Sequence, residues 1–401
     1  MAARSTRVTI RNQTSVTLHH IDDSLEHGIW TDPLSPPAEI GPGATMWWQS
    51  ESDGFATGTE GHARYAVVGS NDVVTFHWNN PYVGTNFYEQ SVTGPFGIYF
   101  SGGKGNNTEA TYSLIPNTRV AVPGYLPSTH GFAFANRWPA EHITSITLPD
   151  PFGDILIGNA AWGLCGGMSF ASRDYFESGK WAPERTTNPT GEGDPLFDYI
   201  VRRLAQSLNI GDVADFLKYA DPIYPNTDDP TLGDGRDWVM AHVAFPGIRD
   251  VIDSGHPCPI GLVLKQLPTL TGMGHQVCVY AYQLTGQQLT LWVYDPNSPS
   301  NDTITMFMDI SRTDQALIDV NGTVNVPEHP ICFFTQTYEQ RDPVQPRRPA
   351  AAMDVFWIGP DGAIGTTWEN PQVDGSNWHP PFPISPPGAA RTDSPLAVVT
   401  R

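Results

Sequence analysis

The stretch Gly158-Asn159-Ala160-Ala161-Trp162-Gly163-Leu164-Cys165-Gly166-Gly167-Met168 constrains this chain more than any other. A cysteine stands beside paired glycines, and a helical pattern opens directly after it. Ser169, Phe170, Ala171, Asp174, Tyr175 and Phe176 follow, with Gly179 as a C-terminal stop. A thiol at a helix N-terminus meets the positive end of the helix dipole, which favours thiolate. The small neighbours are expected to let a substrate backbone come close. Downstream, Gly274-His275-Gln276-Val277 enters an apolar run, and Tyr294-Asp295-Pro296-Asn297 closes another. Cysteine, then histidine on a strand, then aspartate on the next strand is an order that can build a thiol–imidazole–carboxylate site.

The acidity of the chain narrows its partners. It carries 22 Lys and Arg against 42 Asp and Glu, a net charge of −20 over 401 residues. Phosphate backbones repel such a chain, so a nucleic-acid partner is excluded, and charge alone disfavours anionic membranes. Neutral lipids and sugars remain open. No apolar run approaches the ~20 residues that span a bilayer. Met1 to Ile10 has no apolar core of a secretory signal, so the expectation is a cytoplasmic protein or export by a non-Sec route. Cys165, Cys258, Cys278 and Cys332 show no C-x-x-C spacing, so neither a zinc nor a redox motif is expected. The last three read as buried structural thiols in a reducing compartment, or in a protein exported folded without disulfides. No cofactor is expected.

The chain is long enough for several domains at ~100–200 residues each, and 38 Gly and 37 Pro favour turns and short strands over long helices. In residues 1–115, Val8-Thr9-Ile10, Val16-Thr17-Leu18 and Val73 to Trp78 are strand-like runs. They are cut by turns at Asp32-Pro33, Gly41-Pro42-Gly43 and Asn79-Asn80-Pro81. This pattern predicts an all-β sandwich. Val8-Thr9-Ile10-Arg11-Asn12, His27-Gly28-Ile29-Trp30, Thr57-Gly58-Thr59-Glu60-Gly61, and Trp78 with Pro81, Gly84, Thr85 and Asn86 together resemble the aegerolysin family of small lipid-binding sandwiches. Asn80 departs from that family, many of whose members have a cysteine there. The resemblance implies recognition of a sphingolipid- or sterol-rich membrane, with Trp30, Trp47 and Trp48 as interfacial aromatics. Taken singly, each tryptophan also reads as a packing residue. His19, His20, His27 and His62 lack helical metal-ligand spacing and read as surface or packing residues, so no metal is expected.

Residues 116–337 read as an α+β domain, with helices first and strands later. Asp194-Pro195 predicts a capped helix start, with Leu196, Ile200, Leu204 and Leu208 on one stripe. Trp238 to Val243 predicts a second helix, and Pro246 to Gly255 a third. Strands are expected at Ile260–Leu264, Val277–Tyr282 and Leu289–Tyr294. Asp295 follows His275 by 20 residues, enough for one strand out, a turn at Gly286 and a return beside it. The segment resembles papain-like cysteine peptidases, above all their bacteriocin-leader-processing branch. It also resembles bacterial proteins with a Gly-Leu-Cys-Gly-Gly-Met motif. The resemblance implies Cys165 as nucleophile, His275 as its ion-pair partner and acid, and Asp295 as the group that orients the ring. Asn159, six residues before the cysteine, stands where papain-type enzymes have an oxyanion glutamine. The other reading takes Cys165 and His275 as structural and Asp295-Pro296-Asn297-Ser298 as an ordinary turn. Asp228, Asp229, Asp234 and Asp237 lack EF-hand spacing and read as a solvated loop.

Residues 338–353, rich in Pro, Arg and Ala, read as a linker. In residues 354–401, Asp361-Gly362 between apolar runs predicts a hairpin. With Trp368, Trp378 and Leu396 to Val399, this tail resembles a single blade of bacterial fucose-binding propeller lectins, and a lone blade leaves its edges uncovered. The whole therefore reads as a multidomain chain: an N-terminal sandwich, a central α+β papain-like domain and a short C-terminal β repeat. The expected function is a cysteine peptidase with an attached lipid-binding module, in a bacterial effector or toxin. Its expected partners are a peptide or protein substrate, a membrane sphingolipid or sterol, and a glycan. The rival is a non-catalytic lipid- and glycan-binding protein on an inactive scaffold.

Overall fold

Period-two burial decides the first segment. Along Thr59–Val67, every second residue from Thr59 to Val67 is buried, while Glu60, His62, Arg64 and Ala66 reach the other face. A computed structural model describes residues 3–138, 163–229, 233–264, 274–311, 318–344 and 354–368. It adds short pieces at 146–147 and 154–155 and a few positions between 382 and 391. The first ten strands are β1 (Ser5–Asn12), β2 (Leu18–His27), β3 (Ile29–Trp30), β4 (Glu39–Ile40), β5 (Thr45–Glu51), β6 (Thr59–Val67), β7 (Val73–Asn80), β8 (Phe87–Val92), β9 (Phe96–Gly102) and β10 (Asn107–Pro116). They form two five-stranded sheets, ordered β3-β5-β1-β10-β9 and β4-β2-β6-β7-β8. β1 and β10 run parallel; the other pairs are antiparallel. Trp48, Tyr65, Phe76, Trp78 and Tyr112 fill the space between the sheets and are fully buried. The Trp78 indole N–H donates to Ser50 Oγ at 2.9 Å. Asn80 is held by two bonds: its Nδ2 donates to Ser5 O at 3.1 Å and to Asn106 O at 2.9 Å.

The middle segment contributes β11 (Val120–Ala121), α1 (Pro127–His130), β12 (Ile146–Thr147), β13 (Asp154–Ile155), α2 (Cys165–Glu177), α3 (Pro195–Ser207), α4 (Ile210–Ala220) and α5 (Arg236–Trp238). After one π-helical turn, Val239–Ala244, come α6 (Phe245–Asp253), β14 (Cys258–Val263), β15 (Gly274–Thr285), β16 (Gln288–Tyr294), β17 (Thr305–Asp309), β18 (Asn321–Gly322) and β19 (Cys332–Thr335). β12 and β13 pair only with each other; the other strands make one open antiparallel sheet, ordered β18-β17-β16-β15-β14-β19, with β11 beside β15. Asp194 caps α3 as expected, accepting from Leu196 N at 2.9 Å, and Leu196, Ile200 and Leu204 are buried. The helix expected from Trp238 and the one from Pro246 form a single run through the π turn. α4 lies outside the sequence expectations; Asn209 caps it by accepting from Gly211 N and Asp212 N.

Two expectations change. Asp228 and Asp234 do not stand free in solvent: Lys104 of the sandwich pairs with both, at 2.6 and 2.7 Å, and lies 3.5 Å over the Trp238 ring. The reason is that Trp238 completes the core of the sandwich, meeting Phe100 edge-on. His242 bonds Phe100 O at 2.8 Å, and burial drives its pKa down to about 4. Backbone bonds continue the join, from Ile98 N to Gly286 O at 2.8 Å and from Gly286 N to Phe96 O at 2.7 Å. The stretch read as the start of a linker is also tied down. Arg341 N and Tyr338 OH donate to Asp174 on α2, and Tyr175 OH donates to Val344 O.

In the tail, β20 (Asp354–Ile358) and β21 (Ile364–Trp368) form the expected hairpin, with β22 (Phe382–Pro383) beside β21. Gly362 supplies the left-handed turn, φ 79°. Trp378 and Leu396 to Val399 lie outside the described residues. Among the described residues, no helix is long and apolar enough to cross a membrane.

Candidate active site

The site forms where the start of α2 meets the ends of β15 and β16. Gly286, φ 58°, turns β15 into β16. The two strands stay paired up to Cys278 and Tyr294. That pairing brings the mouth of β15 beside the exit of β16. His275 Nε2 bonds Asp295 Oδ1 at 2.7 Å, and both side chains are essentially buried. The Cys165 thiol also acts on this ring, electrostatically and as a hydrogen-bond partner. Cys165 is the one cysteine of the four that is partly exposed; all four are free.

The electrostatics follow from the geometry. Burial pulls the His275 pKa down, but Cys165 and Asp295 outweigh it and raise it to about 10. Burial likewise pushes Asp295 up, and the His275 bond, aided by two backbone N–H groups, brings it below the ordinary value. Those N–H groups are Asn297 N at 2.9 Å and Asn325 N at 2.8 Å, so the carboxylate is held on three sides. An imidazolium is thus favoured beside the Asp295 carboxylate at neutral pH. Burial pushes Cys258 up to about 12 and raises Cys278 and Cys332 as well, which keeps them protonated.

The glycines beside Cys165 serve packing rather than substrate approach. A Cβ on Gly167 would stand 2.0 Å from Ile200 O, so α2 and α3 touch backbone to backbone there. A Cβ on Gly166 would stand 2.2 Å from Gln276 Oε1 and 2.3 Å from Ser207 Oγ. Ser169 Oγ adds a bond to Gln276 O at 3.1 Å, tying α2 to β15 one residue beyond His275.

Of the four residues expected at the catalytic site, the structure gathers Cys165, His275 and Asp295. Asn159 lies outside the described residues. Of the three expected interfacial tryptophans, Trp48 is fully buried between the sheets, because its position on β5 points into the core; it has no surface to offer a membrane. Trp30 is half-buried against Trp78, ring centroids 5.8 Å apart. Trp47 is 41 % exposed and lies under the Arg7 guanidinium. Other apolar side chains are more exposed. Phe55 at 97 % and Val83 at 85 % lie at the end of the sandwich where β5 and β7 finish, with Tyr82 and Ile29 nearby. No periodicity marks them, since both sit in turns. Among the described residues, no group of His, Cys, Asp and Glu is placed to hold a metal.

No family model matches the chain. An uncharacterised protein of Dictyostelium discoideum is 29 % identical over 128 residues, which covers 32 % of this chain and 11 % of that protein. The chain thus spans about a tenth of that relative's length. Among solved structures, the lipid-binding protein Nakanori is a weak neighbour. Its TM-score is 0.27 at 15 % identity, over 29 % of this chain and 72 % of Nakanori.

Proposed function

We propose that the middle domain is a thiol hydrolase of the cysteine-peptidase type, acting on a peptide or protein through Cys165, His275 and Asp295. The observation that carries this reading is the His275 ring, bonded to Asp295 at 2.7 Å, with the Cys165 thiol acting on the same ring. In acylation, the Cys165 thiolate adds to the peptide carbonyl. The C–N bond then breaks as the His275 imidazolium gives its proton to the leaving amine. In deacylation, His275 takes a proton from water, and the hydroxide displaces the sulfur to release the acid. The Leu164 N–H already donates to Asn136 Oδ1 at 2.6 Å, so the Cys165 N–H is the next backbone donor for the oxyanion. One such donor contributes about 3 kcal/mol in the transition state. The Asn159 amide is the proposed second donor.

Alkylation by iodoacetamide between pH 5 and 9, read by mass spectrometry, tests the proposal. Exposure alone would make Cys165 the preferred thiol, so the pH profile decides. A flat rate from pH 6 upwards, lost in His275→Ala, supports the ion pair. A rate climbing about tenfold per pH unit, unchanged in His275→Ala, leaves the non-catalytic scaffold as the reading.

A second reading concerns the sandwich. The aegerolysin-like motifs together with exposed Phe55, Val83, Tyr82 and Ile29 at one end support attachment to a lipid surface. The acidic chain favours zwitterionic or neutral headgroups such as sphingomyelin and sterol over anionic ones. Flotation with vesicles of sphingomyelin and sterol, against phosphoglyceride alone, tests this; equal absence from both removes it. A glycan partner for the tail rests on the blade-like resemblance alone.

A further inference from the structure

We infer that Asn136 is a positioning residue that sets the spacing between the Cys165 sulfur and the His275 ring. This rests on the reading of Cys165 as the nucleophile. The two halves of the site come from distant parts of the chain: the sulfur from the start of α2 and the carboxylate from the end of β16. Asn136 joins them directly. Its Oδ1 accepts from the Leu164 N–H at 2.6 Å, the backbone group immediately before the nucleophile. Its Nδ2 donates to Asn297 Oδ1 at 3.2 Å, and its own N–H donates to Pro296 O at 2.8 Å. Pro296 and Asn297 directly follow Asp295. One residue therefore holds the approach to the thiol and the turn beyond the carboxylate at once.

Two neighbours fix Asn136 itself. The Trp138 indole N–H donates to the same Oδ1 at 2.9 Å, which leaves the amide no free rotation. Asn188 Nδ2 donates to Ala135 O at 2.9 Å and holds the loop from behind. Gly163 completes the fit. Its φ is 95°, and a Cβ there would stand 2.5 Å from Asn136 Nδ2. A side chain at 163 would thus push on the amide. The geometry is that of a strut: remove it, and α2 loses its nearest tie to the Asp295 turn while the triad residues themselves stay intact. A displacement near 1 Å at a reacting pair costs about a hundredfold in rate.

The experiment measures Cys165 alkylation against pH in the full chain, with thermal unfolding followed in parallel. Asn136→Ala removes all three side-chain hydrogen bonds. Asn136→Asp keeps the acceptor for Leu164 and Trp138. Asn188→Ala loosens the same loop without touching Leu164. The expected result is that Asn136→Ala slows alkylation at pH 6 by about a hundredfold and turns the flat profile into that of an ordinary thiol. Asn136→Asp, which keeps the Leu164 bond but gives up the one to Asn297, recovers only part of the pH 6 rate, and Asn188→Ala shifts only the melting temperature. If the wild type is activated and Asn136→Ala keeps its profile, the strut is refuted. So too if Asn188→Ala changes the profile as much as Asn136→Ala, since any loosening of the loop then suffices. A wild type with an ordinary thiol profile overturns the nucleophile reading instead, and melting data show separately whether a variant has merely unfolded.

Discussion

Replacing Gly167 by alanine separates two effects that point in opposite directions. In an exposed helix, the change stabilises by about 1 kcal/mol, because alanine loses less backbone entropy. Here the new methyl would stand 2.0 Å from Ile200 O and 3.0 Å from the Ile200 carbonyl carbon, both backbone atoms of α3. Backbone in a packed helix cannot swing aside as a side-chain end does, so α2 and α3 must separate. Overpacking of this kind costs about 3 kcal/mol at its upper range. The balance is a loss of about 2 kcal/mol, or roughly 4–8 °C in melting temperature for a domain of this size. Gly166→Ala makes a useful contrast. Its methyl meets side-chain atoms, Gln276 Oε1 and Ser207 Oγ, which can shift at less expense to stability. Gln276 adjoins His275, however, so that variant should slow Cys165 alkylation more than it lowers the melting point. Urea or thermal unfolding by near-UV circular dichroism reads both. A Gly167→Ala protein as stable as the parent, or more so, would refute the close approach of α2 to α3.

Other expectations follow from the same structure. Asp295→Asn places an amide against two backbone N–H donors and removes the charge behind His275. It should cost about 1–3 kcal/mol of stability and lower hydrolysis or acylation rates about a hundredfold or more. The acid-side stability has a defined sign. Asp295 has a lowered pKa in the fold, so its contribution is present above the unfolded value of 3.8 and is lost as pH falls through the folded value. The stability gap between wild type and Asp295→Asn should therefore close below pH 3.8. His275, raised to about 10, has the opposite sign: its contribution is complete below 6.5 and is lost as pH rises through about 10, where acylation should also fall as the imidazolium loses its proton. Phe55→Ser alters a side chain that is 97 % exposed, so unfolding should move by less than about 0.5 kcal/mol. Binding to sphingomyelin–sterol vesicles should weaken by about tenfold or more, because a phenylalanine contributes ~1.5–3 kcal/mol on burial.

Much of this architecture was legible before any coordinate. The Cys165, His275 and Asp295 positions were readable because each sits at a boundary that local chemistry marks: a glycine-flanked helix start, a strand entry and an Asp-Pro exit. Asp194 and its leucine stripe announced α3 in the same way. The sequence hid whatever depends on distant segments meeting. Asn136 carries no local signal, because its partners lie at 164 and 297. The role of Asp228 and Asp234 depends on Lys104, more than a hundred residues away. Trp48 and Trp47 are neighbours in sequence, yet one is sealed in the core and the other faces out, since adjacent strand residues take opposite faces. Composition cannot assign those faces; the register of β5 against β1 does.

The join at Trp238, His242 and Gly286 also bears on where the chemistry could happen. A module on a flexible tether would let the thiol sweep a wide radius around any docking point. Here a tryptophan from one body is plugged into the other, and two backbone amides cross the seam. A sandwich seated on a bilayer through Phe55 and Val83 would therefore hold Cys165 at one height and one bearing. Under the proposed thiol chemistry, such a protein would reach only carbonyls presented at that distance from the lipid, so geometry, as much as side-chain recognition, would select its target.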